Sequence, residues 1–213
     1  MKKKKLFVIV AHPDDAELLC YGTIQKYLRA GWFCRILIMT SGNKGANIDR
    51  KKETAKAFKN SQIDIKYLDF SDGYVEMNYD LLSNIREELN NYQPNVVITH
   101  YPDDSGVEHQ DHVAIGKAVI NNVIRVPFSI EKLLLAEPLL SAKTSFEANY
   151  FVDISEWFEE KIQAIQEHRS QENKFYMNLG FQIVHMQEYN GVISKNDLSK
   201  YYEAFYAYMI LDN

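Results

Sequence analysis

Apolar and polar positions alternate between two periods through the first two thirds of the chain. The run Leu6-Phe7-Val8-Ile9-Val10 is continuously apolar, as expected of a strand covered on both faces. Residues 17–30 carry Leu18, Tyr21, Ile24, Tyr27 and Leu28 at helical spacing, with Gly31 as the stop. Residues 33–39 (FCRILIM) read as a second strand. Asp49 is placed to cap a helix running to about Asn60. A weaker strand covers 63–68, and Asp72-Gly73 marks a turn. A helix over 80–92 ends before Pro94, followed by a strand over 96–99, a helix over 112–124 and a strand over 133–136. This order predicts an α/β fold with a largely parallel sheet flanked by helices and right-handed crossovers.

The last third changes character. Residues 151–154 read as a strand ending at a helix cap on Ser155. An amphipathic helix continues to about His168, with Trp157, Phe158, Ile162 and Ile165 inward. The chain then becomes rich in Tyr and Phe and closes with KYYEAFYAYMIL over 200–211. These aromatics are assigned to core or to a subunit interface, which would make the protein a homo-oligomer, rather than to a platform for stacking on sugars.

At 213 residues, with no repeat or low-complexity linker, the chain is expected to form a single domain over 1–213. A net charge of −5 argues against nucleic acid or an anionic membrane surface as partner. Lys2-Lys3-Lys4-Lys5 precede an apolar run too short for a signal peptide. No stretch approaches the ~18 apolar residues of a membrane span. Cys20 and Cys34 lack metal-site spacing, so buried thiols in a reduced, cytoplasmic protein are expected.

Candidate chemistry sits at strand ends. Ala11-His12-Pro13-Asp14-Asp15-Ala16-Glu17 follows the first strand directly, where open α/β sheets collect their active sites. Adjacent residues leaving a strand point in different directions, so Asp14 and Asp15 need not share one job. The plainer alternative makes one of them a cap for the next helix. His109-Gln110-Asp111-His112 follows another apolar run. Its two histidines, three apart at a helix start, can face one side, with Asp111 orienting an imidazole; the plainer alternative is a solvated helix start capped by Asp111. Two imidazoles and a carboxylate with an open position suit a catalytic divalent metal, with Asp14 as base and His109 beside a developing oxyanion.

Taken together, the motifs AHPDDAE and HQDH resemble those of the LmbE/PIG-L-like family of zinc-dependent N-acetylglucosaminyl N-deacetylases. The likeness continues through Thr40-Ser41-Gly42, RKKETAKA over 50–57, Asp72-Gly73, Val152-Asp153-Ile154 with Lys161, His168-Arg169-Ser170-Gln171 and Glu203-Ala204-Phe205. The resemblance implies a Rossmann-like fold and hydrolysis of the N-acetyl group of a small amino sugar or its conjugate. It implies Zn2+ held by His12, Asp15 and His112, although Fe2+ suits the same donors. It makes Asp14 the base, gives His109 the oxyanion or leaving-group role oriented by Asp111, and makes Arg50 a substrate contact. The chain departs from the family pattern at Gln110, where proline is common, at Phe58-Lys59-Asn60-Ser61, and in the loop 103–108, which bears on specificity. His100 is read as a structural or rim histidine. His168 and Gln171 match a family motif on a helix that either reaches the site or packs beneath the sheet. Lys44 and Gly45 are read as a solvated loop in preference to an anion contact.

Two rival classes remain at this point. A metal-dependent phosphoester hydrolase also places His and Asp at strand ends, but often with two metals. A non-catalytic nucleotide-binding module would need a glycine-rich turn after the first strand, where this chain has His and two Asp.

Overall fold

The computed structural model describes residues 3–43, 49–125 and 130–211. Seven strands form one sheet: β1 (Lys5–Val10), β2 (Phe33–Thr40), β3 (Ile63–Phe70), β4 (Val96–His100), β5 (Lys132–Ala136), β6 (Tyr150–Asp153) and β7 (Tyr202–Ile210). Their spatial order is β3-β2-β1-β4-β5-β7-β6. The first five run parallel, whereas β7 pairs antiparallel with both β5 and β6. The expected α/β architecture, a largely parallel sheet between helices, is the one observed.

The continuous apolar run of β1 hides a two-faced alternation. Leu6, Val8 and Val10 join one core cluster, packed against α1 (Asp15–Arg29), α2 (Arg50–Ala57) and α5 (Phe158–Gln166). Phe7 and Ile9 join the other, packed against α3 (Tyr79–Tyr92) and α4 (Gln110–Arg125). β1 is therefore buried on both sides, and the polar residues that follow it emerge into a gap between two layers of helix.

Helix α1 is broken in the middle. Cys20 has non-helical torsions (φ −151°, ψ 24°). The backbone groups freed by the break find side-chain partners far along the chain. Glu203 of β7 accepts from Gly22 N at 2.9 Å and Thr23 N at 2.7 Å. Lys161 of α5 donates to Leu18 O at 2.8 Å and to Glu203 Oε1 at 2.7 Å. Buried backbone polar groups need such partners, and here a buried ion pair supplies them.

Several boundaries differ from the sequence reading. Helix α2 stops at Ala57, and the Asp49 side chain makes no cap hydrogen bond; it pairs with Lys52 at 3.2 Å instead. Ser155 does not cap a helix either. It opens a 3₁₀ turn, Ser155–Trp157, donating through Oγ to Asp153 Oδ1 at 2.6 Å and accepting Tyr201 N at 3.1 Å. The aromatic C-terminal segment is strand β7, and its Phe205 is fully buried in the core. No helix among the described residues is long and apolar enough to cross a membrane.

Candidate metal centre and catalytic site

Strand order reverses between β1 and β4, because the chain builds outward through β2 and β3 and then returns to the other side of β1. Ligand crevices in open α/β sheets form at that switch point, beyond the carboxyl ends of the strands. His12, Asp14 and Asp15 leave β1, and His109, Asp111 and His112 follow β4, so the topology delivers both motifs to one crevice. The turn after β1 is strained: Asp14 has φ 129°, a region costing a non-glycine residue on the order of 1–3 kcal/mol.

His12, Asp15 and His112 each turn one donor atom inward, and the three lie within 4.8 Å of one another. His112 Nε2 is 3.2 Å from His12 Nδ1 and 3.4 Å from Asp15 Oδ1. The other nitrogen of His12 is held by carboxylates, with Nε2 3.1 Å from Asp72 Oδ1 and 3.2 Å from Asp111 Oδ2. Asp111 also accepts from Gly73 N at 2.8 Å and Val75 N at 3.0 Å, tying the turn after β3 to the first turn of α4.

Asp111 thus makes its direct imidazole contact with His12, whereas the resemblance pairs it with His109. Asp111 is fully buried beneath the site, while His109 precedes α4 and stands at the rim, with Nδ1 3.9 Å from the Asp111 carboxylate. His109 Nδ1 instead accepts the backbone N–H of Asp111 at 3.2 Å. A neutral imidazole that accepts at Nδ1 carries its proton on Nε2. His109 lines the cavity and stands edge-on to His12, ring centroids 4.8 Å apart.

The electrostatics are those of a cation site. Burial works against charge on His12, yet Asp111, Asp15 and Asp72 push its imidazole up to about 12. His112 is likewise driven up to about 9 against burial, by Asp15 and Glu108. Asp15 is held well below the usual carboxylate range because His112 and His100 outweigh its burial. Clustered carboxylates thus draw protons onto imidazoles that face each other at 3.2 Å. A divalent ion would supply the same positive charge while sparing that repulsion, so this donor set fits a metal ion.

Asp14 lies outside the donor set. Burial pushes its carboxyl up to about 6, with Arg50 pulling the other way. Arg50 Nη2 is 2.8 Å from Asp14 Oδ2, and the same guanidinium donates to the carbonyls of Pro13 and Gly42. Gly42 has φ +65°, and a Cβ there would lie 2.6 Å from Arg50 Nη1, so glycine lets the arginine close over the turn. Arg50 lines the cavity but is spent largely on holding the Asp14 turn.

The cavity has a volume of about 260 Å³. Gln171, Lys174 and Tyr176 form its outer wall. That wall is docked by His168, whose Nε2 is 2.8 Å from Glu17 Oε1, both side chains fully buried. Ser170 completes the docking, donating through N and Oγ to Glu53 at 2.9 and 2.6 Å. His168 thus supports the site and Gln171 reaches it. His100 backs the donor cluster: Nε2 accepts the N–H of Ala11 at 3.0 Å and lies 3.3 Å from Asp15 Oδ2, and its ring stacks on His112 at 4.0 Å. Asp72 belongs to the Asp72-Gly73 motif and Glu108 to the rim loop 103–108, whereas no sequence signal points to Lys174 or Tyr176, which also border the cavity. Lys44 and Gly45 lie outside the described residues.

The family model described as PIG-L, GlcNAc-PI de-N-acetylase, matches residues 7–123. A probable N-acetyl-alpha-D-glucosaminyl L-malate deacetylase 2 of Bacillus subtilis is 30% identical over 187 residues, spanning 79% of this chain and 84% of its own length. The N,N'-diacetylchitobiose deacetylase of Pyrococcus horikoshii superposes with a TM-score of 0.80 at 23% identity, covering 97% of this chain and 84% of that one. GalB, the 4-carboxy-2-hydroxymuconate hydratase of Pseudomonas putida, reaches 0.79 at 19% identity and covers 99% of both chains. The same fold thus carries more than one chemistry, and residues in the crevice must decide between them.

Proposed function

The chain belongs to the GlcNAc-PI de-N-acetylase (PIG-L) family, and on that premise we propose that it is a metal-dependent hydrolase removing the N-acetyl group from an amino sugar or its small conjugate. The carrying observation is the meeting of three donor atoms from His12, Asp15 and His112 within 4.8 Å, in a cavity that also contains Asp14 and His109.

His12, Asp15 and His112 would hold the ion. Zinc is the proposed metal, with ferrous iron accepted by the same donors. When bound, the ion acidifies water and polarises the amide carbonyl as a Lewis acid. Asp14 is the base. Its Oδ2 is engaged by Arg50, which leaves Oδ1 to take a proton from the attacking water. The water oxygen adds to the acetyl carbon, and the negative charge passes to the carbonyl oxygen. His109 donates from Nε2 to that oxygen, and the donor is already in the required tautomer because Nδ1 is occupied by a backbone N–H. The proton held on Asp14 then passes to the departing nitrogen as the C–N bond breaks, leaving acetate and a free amine. Arg50 fixes the base and borders the substrate. Asp111 and Asp72 orient His12.

The nucleotide-binding alternative is disfavoured by charge, since Asp14 and Asp15 occupy the turn where a pyrophosphate would lie. Cys20 and Cys34 are both free and buried, which supports a cytoplasmic location. A panel of N-acetylated sugars and glycosides, assayed for acetate and free amine with zinc or iron present, tests the proposal. Release of both products in equal amounts supports it, and no release from any member counts against it.

A further inference from the structure

Each imidazole of the proposed donor set has its own carboxylate behind it. For His12 these are Asp72 and Asp111. For His112 it is Glu108, whose Oε2 lies 2.9 Å from His112 Nδ1. Glu108 stands two residues before α4, four residues ahead of His112, and its side chain is only 12% exposed. A carboxylate at Nδ1 places the proton there and leaves the Nε2 lone pair free. That Nε2 is the atom facing His12 and Asp15. The opposite constraint comes from His100, whose ring lies parallel to that of His112, 4.0 Å away with a 6° interplanar angle. The His112 ring is therefore fixed in plane by stacking and in rotation by Glu108.

Glu108 also ends the rim loop. The near end of that loop is anchored by Asp103, which accepts from Ser105 N at 2.8 Å and from Ser145 N and Oγ at 2.9 Å each. Between that anchor and α4, the Glu108 carboxylate connects the loop to the donor cluster.

We propose that Glu108 is the positioning residue for His112, and that through it the conformation of the rim loop and metal affinity are coupled. This rests on the donor set assigned above. Coupling is reciprocal: if the loop holds His112 for the ion, the ion holds the loop.

The test measures zinc affinity by chelator competition for the wild-type chain, Glu108→Ala, Glu108→Gln and His112→Ala, with hydrogen exchange of the 103–109 amides recorded with and without zinc. Glu108→Ala should bind zinc roughly 10–100-fold more weakly, while its metal-free form melts like the metal-free wild type. Glu108→Gln, which keeps an acceptor at the same reach, should fall between the two. Zinc should slow exchange in the loop of the wild type and lose that effect in Glu108→Ala. A folded Glu108→Ala chain with wild-type zinc affinity would overturn the proposal. So would equal losses in metal-free stability for both Glu108 variants with no change in affinity. If His112→Ala also binds zinc normally, the donor set itself is wrong, an outcome separate from failure at Glu108 alone.

Discussion

The guanidinium of Arg50 lies against the carboxylate of Asp14, Nη2 to Oδ2 at 2.8 Å, and the two side chains are almost wholly buried. An arginine in open contact with solvent would be free to serve a ligand. This one also donates to two carbonyls of the same turn region. Arg50→Ala should therefore lower kcat more than it raises KM, with metal content unchanged, because it releases Asp14, the proposed base, from its position. Loss of a buried partner is also expected to cost roughly 3–5 kcal/mol of stability. Steady-state kinetics beside a urea melt check this. A rise in KM alone would assign Arg50 to substrate binding.

Asp14→Asn preserves shape and the contact to Arg50 but removes basicity. Metal content should stay at the wild-type level while kcat falls by roughly 10²–10⁴-fold. Metal loss in this variant would mean that Asp14 and Asp15 have exchanged roles.

The break in α1 depends on charge. Lys161→Met strands the Glu203 carboxylate, which is 3% exposed, and frees Leu18 O. A loss of about 3–5 kcal/mol in urea unfolding is expected. Adding Glu203→Gln to that variant should recover part of it, because the buried charge is gone. If Lys161→Met unfolds like the wild type, the ion pair is not what supports the break.

The parallel part of the sheet could be anticipated because its strands are short apolar runs and its crossover helices show helical spacing, whereas β7 (Tyr202–Ile210) is hidden in an aromatic-rich segment without a clear period. The meeting of His12, Asp15 and His112 could be anticipated for a related reason: both motifs follow strands, and parallel strands end on one edge. Contacts set by the three-dimensional return of the chain could not. Asp72 reaches His12 only because the turn after β3 folds back over the site. The break at Cys20 reflects partners more than 140 residues away, which local propensity does not register. Asp111 shows the same limit, since its place between His109 and His112 leaves open which imidazole it meets, and the fold brings it against His12.

Glu137, at the end of β5, gives a pH signature. Burial pushes its carboxyl up from 4.5 to about 7, against hydrogen bonds from Ser141 and Tyr189. The folded chain keeps a proton that the unfolded chain releases, so this group's contribution is full below about pH 4.5 and is lost as pH rises through about 7. Glu137→Gln can still accept from Tyr189 and stays neutral. Relative to the wild type it should gain on the order of 3 kcal/mol between pH 5 and pH 8, read from urea melts at both values. A stability difference that does not change with pH would contradict this.

The central claim is that one ion, held by His12, Asp15 and His112, is required for N-deacetylation. The direct measurement strips the protein of metal, returns zinc in steps, and follows acetate release from the best substrate of the panel. Activity should be absent in the stripped protein and should saturate at one equivalent per chain, with Asp15→Ala and His112→Ala inactive throughout. Full activity in the stripped protein, or saturation only at two equivalents, would contradict the account.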